Sequence, residues 1–364
     1  MMRMEVDVIQ GRGDAYTFGL EQAYSLINMP LFEKHAKRRK KSIKKYTTDY
    51  KMATEYMMEY SPQLMEEIQG IADGLEWSIQ DVMHEYGGYQ QSWRKSGCSA
   101  IMANGIYGRN YDYHPKTYDG RFVLWQPHKG FAHIGFAQRM IGRMDGMNEK
   151  GLAIGYHFVN RLRPNDGFIC TSIARFVLDS CENVTDAILT LKKIPHRHAF
   201  NYSLADYHGN AAVVEGSAQG VEVFQQHQGA CTNHFQTKNK QKENRYKIEE
   251  SQNRLITLQQ FQQQNPTAKE MSQLLNERQH GIAKVDYGNW SGTIHTAIYD
   301  TRSLTVHIGI GVNAQFVTFP FKRWLKGNKS VIKKVRGHLP EVNGAGHLKP
   351  QARLARNTFV NVSE

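Results

Sequence analysis

The chain has 364 residues, 40% of them hydrophobic and 22% charged, with a formal charge of +12, a globular composition long enough to bury a sizeable core. No apolar run approaches the roughly 18 to 20 residues of a membrane span. The opening "MMRMEVDVIQGRGD" carries no apolar signal core, so a cytoplasmic location is expected. The positive charge collects in two blocks, "KHAKRRKKSIKKY" from Lys34 to Tyr46 and the stretch from Lys322 to Arg356. Neither block interleaves aromatic residues, and no zinc-finger or RNP pattern accompanies them, so a specific nucleic-acid partner is not expected.

Along the chain, the first ninety-odd residues read as helical. In "SPQLMEEIQGIADGL", Ser61 and Pro62 stand as N-cap and first helical residue, and Gly74 is placed to end the helix. Leu64, Met65, Ile68, Ile71, Ala72 and Leu75 fall at helical spacing and predict one buried face. Ser78 with Asp81 opens a short second helix, "SIQDVMHEY".

After Cys98 the texture changes to strands. "CSAIMA" and "IYGRNYD" flank Asn104-Gly105, a strong hairpin signal because both turn residues tolerate positive φ. "GRFVLWQ", "AHIGFAQ" and "GLAIGYHFV" continue the pattern, followed by a helical block from about Thr171 to Lys193. Two more hairpins are predicted, turning at His208-Gly209-Asn210 and near Thr301 to Ser303, and Thr267 with Glu270 forms a capping box between them. Strands in meanders with helices grouped between them predict α+β layers. The end, beyond about Leu339, is poor in apolar residues and reads as a loosely packed basic tail.

Four cysteines (Cys98, Cys170, Cys181 and Cys231) are widely spaced with no CxxC pair, and read as free thiols. The histidines show no HExxH or comparable spacing, so neither a metal nor a cofactor is expected. Cys98 stands apart because of the hairpin it heads. A two-residue Asn104-Gly105 loop makes Ala103 oppose Ile106, Ala100 oppose Arg109 and Cys98 oppose Tyr111. Cys98 and Arg109 therefore share a face, where a guanidinium can favour a thiolate. Asp112 is off by one in this register and reaches the same point only through a bulge or from the strand end.

Several stretches in order now support a resemblance: "IQGRGDAYTFGLEQA", "EEIQGIADGLEWSIQDVM", "GCSAIMANGIYGRNYD", "GMNEKGLAIG", "NYSLADYHGNAAVVEGS" and "CTNHF". Together they resemble the cysteine-nucleophile Ntn hydrolases. More narrowly, they are similar to the autoproteolytic acyl-CoA:isopenicillin N (6-aminopenicillanic acid) acyltransferase family and its choloylglycine hydrolase and penicillin V acylase relatives. The resemblance implies a four-layer αββα sandwich of two antiparallel sheets over residues 98–338. A helical pro-segment, 1–97, precedes it and remains bound as a second chain after cleavage at Gly97-Cys98, and the tail 339–364 follows it.

The implied roles follow residue by residue. Cys98 becomes both the processing residue and the N-terminal nucleophile. Its new amine, with a reference pKa of about 7.7 to 8.0, can serve as general base. Gly97 lacks a Cβ and so permits a strained backbone at the scissile bond. Arg109 and Asp112 match the family's "RNxD", as polarising arginine and amine-holding aspartate. Asn233 in "CTNHF" matches the oxyanion asparagine, and Arg245 in "ENRYKIEE" a further site arginine. At the position of a second oxyanion donor this chain offers Tyr156, His157 and Phe158. His234, Cys170, Cys181 and Cys231 are expected to be packing residues. The implied substrate is a small-molecule N-acyl amide, cleaved through a Cys98 thioester, or an acyl-CoA serving an N-acyltransferase. A reading of another class is a non-catalytic scaffold that binds polyanions through the basic blocks.

Overall fold

The computed structural model describes residues 1–93, 96–226 and 228–350. The chain opens on a strand, β1 (Met2–Gly13), where helix is expected. The period-two signal for it stands in "MRMEVDV": Met2, Met4, Val6 and Val8 are buried and the residues between them are more exposed. Helices α1 (Ala15–Ile27), α2 (Pro30–Ile43), α3 (Tyr50–Tyr60), α4 (Pro62–Leu75) and α5 (Ile79–Tyr86) follow. The predicted face of α4 is buried at Leu64, Ile68, Ile71, Ala72 and Leu75, with Met65 packed at its margin. Gly74 does not end α4; Glu76 does, in the left-handed region at φ 54°. The Ser61 hydroxyl makes no capping bond and instead donates to Asp179, 2.5 Å away.

The hairpin forms in the predicted register. β2 (Ser99–Ala103) and β3 (Ile106–Tyr113) pair with Ala103 opposite Ile106 and Ala100 opposite Arg109. Asn104 and Gly105 turn between them at φ 55° and 75°. β4 (Arg121–Pro127), β5 (His133–Gln138), β6 (Gly142–Asn148) and β7 (Ala153–Asn160) then form a meander. The predicted helical block divides into α6 (Cys170–Ser180) and α7 (Val184–Lys193), because Asn183 accepts from the Asp186 N–H and starts a new helix. β8 (Ala199–Ala205), β9 (Ala211–Ser217), β10 (Gly220–Gln226) and β11 (Gly229–Cys231) precede α8 (Glu249–Gln262) and α9 (Ala268–Asn276). Thr267 and Glu270 make both bonds of the predicted capping box on α9. The chain closes through β12 (Val285–Asp286), β13 (Ser291–Asp300), β14 (Thr305–Ile310), β15 (Val317–Pro320), α10 (Phe321–Leu325) and β16 (Lys334–Leu339).

The strands make two sheets. The larger runs β10-β9-β8-β7-β6-β5-β4-β1-β16, and the smaller runs β11-β2-β3-β13-β14-β15, with β12 paired to β13. Neighbours are antiparallel except β1 and β4, which are parallel. Helices α6 and α7 cover the large sheet, and α8 and α9 cover the small one, so the fold is an α+β sandwich in four layers, αββα. The amino-terminal elements are built into this sandwich. β1 lies inside the large sheet between β4 and β16. Glu67 of α4 meets Arg175 of α6 at 2.7 Å in a fully buried ion pair. The end of the described chain is also packed: Ala345 and Leu348 are buried, and His347 Nε2 lies 2.8 Å from the Tyr118 carbonyl. A loosely packed tail from residue 339 therefore does not describe 339–350, and the rest of that predicted tail lies outside the described residues.

Candidate active site

Cys98 is the last residue before β2 and has no exposed surface. Strand alternation puts its thiol on the face turned towards the large sheet, with Arg109 and Tyr111. Arg109 Nη2 lies 3.5 Å from Cys98 Sγ. The arginine runs between the sheets, where Gly155 of β7 makes room for it: a Cβ there would stand 2.5 Å from Arg109 Cδ. Its far end is fixed by an ion pair with Asp145 of β6 and a hydrogen bond to the Tyr156 carbonyl.

Asp145 also accepts from Tyr299 at 2.6 Å and from His295 at 2.9 Å. Burial alone would raise its pKa, but His295 and Arg109 hold it down at about 2. The charge beside the sulfur is therefore permanent. Burial pushes the Cys98 thiol up, and Arg109 works against that shift.

The other face of the hairpin carries Ser99, Asn110 and Asp112 and is covered by α8 and α9. Here Asp112 lies opposite Gly97, whose N–H donates to the Asp112 carbonyl at 3.1 Å. The Asp112 carboxyl is buried; Oδ1 accepts from Thr293 at 2.7 Å and Oδ2 has no hydrogen-bond partner among the described residues. Burial lifts its pKa to about 6, with Arg254 and Lys284 opposing. Gly97 itself is not in the left-handed region. A Cβ there would stand 2.9 Å from Ser291 Oγ, a contact that rotation of the serine side chain relieves.

Asn233 follows β11 and lies at the site, with its amide oxygen towards the Cys98 nitrogen. Oδ1 accepts from the Cys98 N–H at 2.7 Å and from Arg254 Nη2 at 3.0 Å. Nδ2 donates to the Phe158 carbonyl at 2.9 Å, which uses one of its two N–H groups. Arg254 of α8 is a residue the sequence reading missed. It is buried, and Nη1 reaches the Cys98 carbonyl at 2.8 Å and Ser99 Oγ at 2.6 Å. Glu250, one turn earlier, accepts from its Nε at 2.6 Å. That i, i+4 pair was the available signal in "EESQNRL".

Arg245, the expected second arginine, is half-buried before α8 and stands 5.8 Å from the centre of the Phe158 ring. The buried arginine beside the Cys98 carbonyl is Arg254. At the expected second oxyanion position, the Tyr156 and Phe158 carbonyls are acceptors for Arg109 and Asn233, and His157 Nε2 lies 2.8 Å from Ser203 Oγ. His234 bonds to Ser251 Oγ at 2.9 Å, and burial lowers its pKa to about 4, which keeps it neutral. Cys170, Cys181 and Cys231 are buried and free. Among the described residues no cluster of three or more His, Cys, Asp or Glu side chains could hold a metal ion, and no helix is long and apolar enough to cross a membrane.

A cysteine heading a strand of an αββα sandwich, with a buried arginine at its sulfur and an asparagine at its nitrogen, defines the class of Ntn-type amide hydrolases and acyltransferases. The family model described as acyl-coenzyme A:6-aminopenicillanic acid acyl-transferase matches residues 93–315, and the chain belongs to that family. Solved structures similar to it include penicillin V acylase from Agrobacterium tumefaciens, at 15% identity over 62% of this chain and 86% of that one, with a TM-score of 0.40. A point mutant of conjugated bile acid hydrolase from Clostridium perfringens is 13% identical over 62% and 93%, with a TM-score of 0.41. The Caenorhabditis elegans ortholog of N-acylethanolamine-hydrolyzing acid amidase is 14% identical over 57% and 93%, with a TM-score of 0.38. No curated relative matches the sequence.

Proposed function

We propose that the protein is a self-processing acyl-transfer enzyme of the cytoplasm, with Cys98 as nucleophile, that hydrolyses linear N-acyl amides. The observation that carries this reading is the separate positioning of the two reacting groups of one residue: Arg109 at the sulfur and Asn233 at the nitrogen. In processing, Cys98 Sγ attacks the Gly97 carbonyl, the Gly97-Cys98 C–N bond breaks and the nitrogen takes up a proton. Water then hydrolyses the thioester, leaving a Gly97 carboxylate and a free thiol on an N-terminal cysteine. In turnover the amine accepts the thiol proton, Sγ attacks the substrate carbonyl and the departing amine takes that proton with it. Water completes the reaction by hydrolysing the Cys98 thioester.

Asn233 Oδ1 and the free oxygen of Asp112 are suited to hold that amine. Arg254 fixes Asn233 and the Cys98 carbonyl from behind. Residues 98–338 would form the catalytic unit, and 1–97 would stay bound through β1 and the Glu67–Arg175 pair.

The family's own description favours a second reading, acyl-CoA-dependent transfer to an amine, which differs only in the acyl donor and acceptor. The mass of the purified protein tests the common mechanism. Wild type should appear as two fragments, parted before Cys98, that elute together in native gel filtration and separate in denaturant. Cys98→Ala should remain one chain. Cleavage of the alanine variant at the same bond would rule out intramolecular attack by Cys98. An intact wild type with salt-sensitive polyanion binding would support the scaffold reading instead.

A further inference from the structure

One cleft, of about 410 Å³, contains features that the acyl-transfer mechanism does not use. Four cations line it: Lys34 and Arg38 from α2, Lys116 just after β3, and Arg139 from the turn between β5 and β6. No carboxylate is among its lining residues. Of the acidic groups behind it, Glu85 accepts from Arg38 Nε at 2.5 Å; Asp119 Oδ2 accepts from the Met140 N–H at 3.0 Å, while its Oδ1 lies 3.8 Å from His35 and has no hydrogen-bond partner among the described residues. Lys34 donates to the Gly344 carbonyl at 2.7 Å, and the Arg38 side chain keeps 30% of its surface open. Burial and the nearby Arg38 both push the Arg139 pKa down, as expected of like charges held together without full compensation.

The remaining wall is aromatic. Trp93 and Tyr113 stack with ring centres 6.0 Å apart, and Trp93 stands edge-on to Tyr156 at 5.8 Å. The Tyr156 carbonyl holds the same Arg109 that lies 3.5 Å from the Cys98 sulfur, so contacts through Tyr156 and Arg109 connect the cleft wall to the candidate reacting centre.

The turn that presents Arg139 is a second, independent observation. Arg139 and the next residue, Met140, have φ of 57° and 61°. Asn and Gly are the usual residues for such a turn, and a long side chain there is disfavoured. Backbone strain of this kind persists where the surroundings enforce it, and it clusters at functional sites.

We propose that this cleft is a subsite for an anionic end of the substrate, a carboxylate or a phosphate, and that the segment before Cys98 supplies half of its charge through Lys34 and Arg38. The amino-terminal segment then acts in substrate selection as well as in folding, and part of the first basic block has a defined task. The placement beside Cys98 rests on the acyl-transfer reading; the anion site itself does not.

The test has two arms. In the first, inorganic pyrophosphate and succinate are titrated into the wild-type full-length protein by calorimetry at constant ionic strength. Saturable binding of either is expected, and the preferred anion tells phosphate from carboxylate. Lys116→Gln and Arg139→Asn should each weaken it about tenfold or more. Arg139→Asn should at the same time raise Tm, because asparagine accepts the left-handed backbone. In the second arm, the same variant should raise KM about tenfold for an N-acylglycine while leaving kcat and the KM of the matching neutral N-acylethanolamide unchanged. Absence of saturable binding of both anions, wild-type affinity in Arg139→Asn, or an equal KM rise for charged and neutral substrates would each overturn the subsite. Anion binding without amidase activity would retain the site and count against the enzyme reading alone.

Discussion

The two faces of the β2–β3 hairpin solve opposite electrostatic problems around one residue. On the face towards the large sheet, Arg109 is locked by Asp145, which is itself locked by His295 and Tyr299. On the face towards α8 and α9, Asp112 keeps one oxygen without a partner among the described residues and a pKa lifted to about 6. The first face supplies a charge that does not respond to pH over the physiological range. The second supplies a group that does. In the proposed role of Cys98 the thiol and the nitrogen do different work and need both kinds of neighbour, and an antiparallel pair provides them by alternation alone.

The comparison is broken most severely on the locked side. Asp145→Asn leaves the Arg109 guanidinium buried without its counter-charge and should cost about 3–5 kcal/mol in urea unfolding. Replacing both partners by leucine should restore much of that loss if the pair stabilises only by mutual compensation.

The proton-responsive side should behave in the opposite sense. Between about pH 4 and 6, folded Asp112 holds a proton that the unfolded chain, with a carboxyl pKa of about 3.9, has largely released. Stability from this group is therefore present at low pH and falls as pH rises through 6. Asp112→Asn, measured in unprocessed Cys98→Ala protein, should gain on the order of 2–3 kcal/mol at pH 7 and flatten the pH 4–6 slope of the unfolding free energy. In the Cys98 background the proposed processing is expected to depend on pH near 6, and the same change should remove that dependence. An unchanged slope would mean that the carboxyl is not desolvated as described.

The smallest effect is expected for Arg254→Lys, at about 1–2 kcal/mol in Tm-derived stability. A single ammonium cannot reach the Cys98 carbonyl, Ser99 Oγ and Asn233 Oδ1 together as the guanidinium fork does. Processing should slow in this variant while Arg109 and the thiol face remain intact.

The hairpin and its register were legible because Asn104-Gly105 admits one tight turn, and that register placed Arg109 beside Cys98 before any fold was known. Asp112 was correctly read as out of step with the thiol, and its place on the opposite face follows from the same alternation. Arg254 reaches the site from a helix more than 150 residues away in sequence, and its i, i+4 spacing to Glu250 marks a helical pair without marking a buried one. Asp145 carries no motif of its own, and its role shows only when β5 and β7 are seen to flank β6. The orientation of the Asn233 amide depends on three partners from separate segments, which no motif encodes.

β1 has a consequence for the lifetime of the molecule. It is hydrogen-bonded along both edges, to β4 on one side and to β16, near the end of the described chain, on the other. While the chain is continuous, β1 can find that slot by intramolecular search. If the bond before Cys98 is cut as proposed, a molecule that unfolds must bring two separate fragments back together, and its recovery depends on their concentration. The same cut that frees the nucleophile would leave the active protein easy to assemble once and hard to assemble again, persisting by the slowness of its unfolding rather than by refolding.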